Sequence, residues 1–159
     1  MSAFVVSVSV IVAVMAYLNE SNKQRRQFTM ELALPFFSGE LQDAKERLFL
    51  TIQSIQMKVE PARLGASDLQ TYIAKSEEFS NASDRKLNSA LLALSSFFNS
   101  AERCTQSGLC DAELMRDLIS KDAMAIHCVF SGYLNQMAIS SNTTELLSGL
   151  AFFKSGECE

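Results

Sequence analysis

The sequence predicts an all-α protein, with one N-terminal transmembrane helix followed by a small bundle of about five helices. Three observations carry that expectation. Residues Ala3 to Leu18 contain no charged side chain. Beyond them, apolar residues recur at spacings of three and four, the period of a half-buried helix. Two prolines, six glycines and no tryptophan suit helices better than a turn-rich β fold. At 159 residues the chain holds one modest domain plus an anchor. The expected division is 1–19 as the transmembrane anchor, 20–37 as a basic stem continuing the helix, and 38–159 as a cytoplasmic helical domain.

The first segment reads as a signal peptide, an anchor or a buried strand. A signal peptide wants a basic leading region and a small-x-small cleavage site, and neither Met1-Ser2 nor Tyr17-Leu18-Asn19-Glu20 supplies them. The Val/Ser alternation from Val6 to Val10 suggests a strand, but no second strand-like segment offers a partner. The anchor fits best, through Phe4, Val8, Ile11, Val12 and Leu18. Its sixteen residues would span about 24 Å of a hydrocarbon core about 30 Å thick. Ala3/Ser7 and Ser9/Ala13 place small residues four apart, spacing that lets a partner helix approach. Lys23, Arg25 and Arg26 follow the span and no basic side chain precedes it. The positive-inside rule then puts the N-terminus outside and the domain in the cytoplasm, at a bacterial inner membrane.

The net charge of −4 is unevenly distributed. From Phe28 onward 11 basic residues face 17 acidic ones, so this part repels phosphate backbones and nucleic acid is not an expected partner.

Along the domain, the stem helix should run to about Leu34, where Pro35 disfavours continuation. Ser38-Gly39 opens a helix with the stripe Leu41, Ala44, Leu48, Ile52, Ile55 and Val59, ended by Pro61 and Gly65. Ser67-Asp68-Leu69-Gln70 has the form of a capping box before Tyr72 and Ile73. Asp84 to Ser107 is the clearest helix, buried through Leu87, Leu91, Leu94, Phe98 and Ala101, with Gly108 as its left-handed terminator. Asp111 caps the next helix, which carries Met115, Ile119, Ile126, Phe130 and Leu134. The short connection predicts an antiparallel pair. A last helix, Thr143 to Phe153, offers Leu146, Leu147, Leu150, Phe152 and Phe153 to a neighbour.

The run Ser96-Phe97-Phe98-Asn99 … Gly108-Leu109-Cys110-Asp111-Ala112-Glu113-Leu114, with the anchor and basic stem, resembles a bacterial domain-of-unknown-function family of small single-span membrane proteins with a cytoplasmic helical domain. Cys110 stands where that family has an aliphatic residue. The resemblance implies the architecture and no catalytic residue.

No catalytic constellation, cofactor box or metal-ligand spacing emerges. Cys104 and Cys110 form a C-x5-C pair, unlike the C-x2–4-C pairs of zinc sites. On the cytoplasmic side all four cysteines are expected as free thiols. His127 and Cys128 are neighbours on a helix and point about 100° apart, which disqualifies them as a base–nucleophile pair. Asn19, Asn81 and Asn142 match the glycosylation acceptor pattern and read as coincidences in Ser- and Asn-rich segments. The expectation is a non-enzymatic accessory or scaffold subunit of a membrane complex, bound to integral membrane protein partners, with self-association as a further option. The alternative is a cytoplasmic-side thiol sensor or adaptor using Cys104 and Cys110.

Overall fold

The computed structural model describes residues 2–58, 68, 71–72, 84–141 and 145–158; for 2–13, 55–58, 84–86 and 141 it describes the backbone alone. Five helices have described bounds: α1 Ser2–Phe37, α2 Glu40–Lys58, α3 Asp84–Gln106, α4 Ala112–Ser141 and α5 Ser148–Phe153. All secondary structure among the described residues is helical, as the periodicity predicts. The capping-box segment falls largely outside the described residues; within it Asp68 is helical, and Tyr72 just beyond packs against the core. Ile55 and Ile73, Val59, Pro61, Gly65 and the start of the Thr143 helix lie outside the described side chains or residues.

Helix α1 has 36 residues, about 54 Å of rod. It ends three residues beyond the expected Leu34. Pro35 sits in the final turn, where its missing N–H removes one helix bond. Ser38 Oγ donates to the Leu34 carbonyl at 3.0 Å, and Gly39 at φ 74° turns the chain into α2. Among the described side chains of α1, those that reach the body lie in its last turns. Thr29, Leu32, Ala33 and Phe36 make one inward stripe at helical spacing, whereas side chains from Val14 to Phe28 are exposed apart from the half-buried Ser21.

The transmembrane assignment is overturned. Among the described residues no helix is long and apolar enough to cross a membrane. The physical reason is length: the uncharged run stops at Leu18, and the same helix continues without a break into Asn19, Glu20 and the exposed Lys23, Arg25 and Arg26. The orientation drawn from those three cations falls with the span. Leu18 is exposed, and the side chains of Phe4, Val8, Ile11, Val12, Ala3, Ser7, Ser9 and Ala13 lie outside the described residues.

The core sits where α1's last turns, α2, α3, α4 and α5 converge. On α2 the expected stripe is present, with Ala44 and Leu48 buried and Leu41 and Ile52 packed against the core. On α3 all five expected positions are buried, joined by Phe97. Phe36 stacks on Phe97 with ring centroids 4.7 Å apart and meets Phe98 edge-on, fastening α1 to α3. The α3 terminus is a Schellman turn: Gly108 N–H donates to the Thr105 carbonyl, Leu109 N–H to that of Cys104, and Gly108 has φ 72°.

The closing helix is shorter than expected, and it does not offer its apolar face to a partner. It starts at Ser148 and lies against both α3 and α4, with Leu150 and Phe153 essentially inaccessible to water. Gly149 makes that seat available, because a Cβ there would lie 2.2 Å from the Phe98 carbonyl carbon. Asn99 clamps the approach: its Oδ1 accepts the Gly149 N–H at 2.8 Å and its Nδ2 donates to the Glu145 carbonyl at 2.7 Å. Arg103 pairs with Glu145 alongside.

Candidate functional site

Four features stand outside the simple core: the exposed length of α1, the joint that holds it, two cysteine pairs, and a cleft at Lys45.

Val14, Met15, Tyr17 and Leu18 are 50, 68, 74 and 54 % exposed. With the exposed Ala16 between them they occupy little more than one turn and ring the axis, so no single face of the rod is the apolar one. A helix that is apolar all round is ordinarily enclosed. Further along, Phe28, Met30, Leu34 and Phe37 are also exposed, off the Thr29–Phe36 stripe.

The joint is polar and specific. Thr29 is fully buried; its Oγ1 donates to the Arg25 carbonyl at 2.8 Å and accepts the Asp111 N–H at 2.8 Å. Asp111 Oδ1 accepts the Leu114 N–H at 3.0 Å, the expected N-cap of α4. Its other oxygen lies 3.8 Å from Arg26 Nε. One turn residue therefore starts α4 and locks the root of α1. Arg26, expected to set membrane orientation, instead faces this carboxylate, and the pair's exposure makes its contribution small.

The cysteines depart from expectation. Cys104 is bonded to Cys110 and Cys128 to Cys158, so among the described residues no free thiol remains. The Schellman turn explains the first pair: it folds the chain back so that the two Cα atoms are 5.3 Å apart across six positions. Both residues are buried. The second pair joins α4 to the segment after α5, thirty positions on. Gly156 at φ 97° lets that tail turn toward α4, with Met124 beside it. Burial and the neighbouring Lys154 ammonium lower the His127 pKa from 6.5, so the imidazole is neutral at pH 7. Its Nδ1 is buried without a hydrogen-bond partner.

Lys45 Nζ lies 3.3 Å from Asp122 and 4.2 Å from the centre of the Phe36 ring. It closes one end of an open cleft of about 110 Å³ between α2 and α4, lined by Leu48, Phe49, Ile52 and Ala125. The ammonium is matched by one carboxylate, and the rest of the lining is apolar. This arrangement ties α2 to α4.

Sequence reasoning found the Asp111 cap, the Gly108 terminator and the core stripes. It missed Thr29 as the partner of Asp111 and Cys158 as the partner of Cys128. An even cysteine count was the one available hint of pairing. Comparison with protein-family models, curated proteins and solved structures found no match to this chain.

Proposed function

We propose that this chain is a non-enzymatic accessory or scaffold subunit, whose disulfide-stapled helical body presents the N-terminal length of α1 to partner helices. The observation that carries the reading is the exposure of Val14, Met15, Tyr17 and Leu18 on a rod that leaves the body before Thr29. Folded monomers seldom leave contiguous apolar surface of this kind uncovered. Because the apolar residues surround the axis, a shallow groove on one partner covers too little of them. Several helices, from other subunits or from copies of this chain, enclose the rod. The Thr29–Asp111 joint supports the same reading, since it fixes the rod's direction relative to the body.

Two disulfides support a working environment in which thiols oxidise, instead of the reducing interior first expected. The burial of Cys104 and Cys110 favours a structural staple over a peroxide-responsive thiol pair.

The test is the native mass of the intact chain by light scattering, beside a variant carrying Val14→Glu and Leu18→Glu. The intact chain should form assemblies larger than one copy, or hold a stoichiometric partner through purification, and the charged variant should be a monomer. An intact chain that is monodisperse, monomeric and unaccompanied refutes the proposal.

A further inference from the structure

His127, Cys128 and Cys158 bring three ligand atoms within 4.8 Å of one another, one imidazole nitrogen and two sulfurs. We propose that they form a redox-gated zinc site, closed while the sulfurs are bonded to each other and opened by a dithiol reductant. The inference is independent of the role given to α1.

The donor set is suited to zinc, which takes thiolate sulfur at about 2.3 Å and imidazole nitrogen at about 2.0–2.1 Å in a tetrahedral shell. In such a shell the ligand atoms stand roughly 3.5 Å apart, so the two sulfurs part once their bond is broken, and the imidazole nitrogen has on the order of 1 Å to close. The movable partner is Cys158, which is exposed and follows the left-handed Gly156 in the terminal tail. Cys128 and His127 are fixed on α4. The buried His127 Nδ1 has no hydrogen-bond partner, which leaves an imidazole with unused ligand capacity beside both sulfurs. Lys154 opposes a cation here, but two thiolates outweigh it.

The chemistry balances in two steps. Thiol–disulfide exchange breaks the Cys128–Cys158 bond and forms the reductant's own disulfide, delivering two electrons and two protons to the cysteine sulfurs. Zn²⁺ then displaces both thiol protons, gaining two Zn–S bonds and one Zn–N bond, with water in the fourth position. The tail is thereby clamped to α4 in either redox state, first by a disulfide and then by the metal. The Cys104–Cys110 pair has no histidine in company and provides an internal control.

The experiment reduces the full chain anaerobically with a phosphine, removes the phosphine, and titrates with Co²⁺ as a spectroscopic probe, followed by Zn²⁺ in competition. The expected result is one equivalent bound, with thiolate-to-cobalt absorption, and none for the oxidised chain. Cys158→Ser should abolish binding and Cys104→Ser should leave it intact. His127→Asn should weaken it by at least roughly tenfold, the scale on which even outer-shell partners act. Far-UV circular dichroism accompanies each titration; if reduction lowers helicity, Zn²⁺ should restore it in the wild-type chain and fail to do so in Cys158→Ser. The proposal is overturned if the reduced chain binds no metal, if His127→Asn binds as well as wild type, or if Cys104→Ser and Cys158→Ser behave alike.

Discussion

Replacing Gly149 by alanine is the sharpest probe of how the body is assembled. An added Cβ would lie 2.2 Å from the Phe98 carbonyl carbon, 2.3 Å from its oxygen and 2.4 Å from the Asn99 nitrogen. All three are backbone atoms in the middle of α3, so no side chain can swing aside. Ordinary contact begins near 3.4 Å, and α5 must retreat by the 1.2 Å difference. That movement stretches the 2.8 Å bond from Gly149 N–H to Asn99 Oδ1 and partly unseats Leu150 and Phe153. Overpacking of this kind costs about 1–3 kcal/mol. Full burial of each displaced side chain is worth about 1.5–3 kcal/mol, of which a fraction is lost. Alanine's better helix propensity returns at most about 1 kcal/mol. The net expectation is a loss of about 2–4 kcal/mol, or about 1–2 M in urea midpoint for a slope of about 2 kcal/mol/M. The measurement is equilibrium urea unfolding of both proteins without reductant. A midpoint unchanged or raised would refute the claim that α5 is seated by backbone contact with α3.

The two disulfides should contribute unequally, because they close loops of 6 and 30 positions. Loop-closure entropy gives about 2 kcal/mol for Cys104–Cys110 and about 3.5 kcal/mol for Cys128–Cys158, so thermal melts of the paired Ser variants should rank in that order. Thr29→Val removes the acceptor of the Asp111 N–H and should cost about 1–3 kcal/mol; its melting temperature should fall below that of a Ser variant, which keeps the hydroxyl. Ser95→Ala should be neutral or stabilising by up to about 1 kcal/mol, since the buried Ser95 hydroxyl has no partner and alanine is the better helix former. The His127 pKa is lower folded than unfolded, so the unfolded chain takes the proton first. Stability should therefore decline as pH falls through 6.5 toward the folded pKa, and pH-dependent melts of His127→Gln should lack that step.

Much of the bundle was legible because its signals are local. Leu87, Leu91, Leu94, Phe98 and Ala101 mark a buried face by spacing alone, and all five are buried. Gly108 and Asp111 act through backbone geometry and a hydrogen bond three residues away, which proximity in the chain fixes. The outer turns of α1 misled for a related reason. An uncharged run states that side chains avoid water without stating what covers them, and sixteen residues fall short of a span. The stem misled differently. Its basic residues drew attention to a membrane boundary, while the stripe Thr29, Leu32, Ala33 and Phe36 was spending its apolar face on the bundle.

Helix content, the main core faces and the turn between α3 and α4 were determined by the sequence itself, since each depends on neighbours within about one helical turn. The tertiary structure decided the rest: that Asp111 meets Thr29, that α5 turns inward over Phe98, that Cys158 reaches Cys128 beside His127, and that α1 leaves the body at Thr29. Those contacts join positions 30 to 82 residues apart. No local periodicity encodes such pairings, because they arise only when separate helices bury their faces together and the intervening chain is carried along.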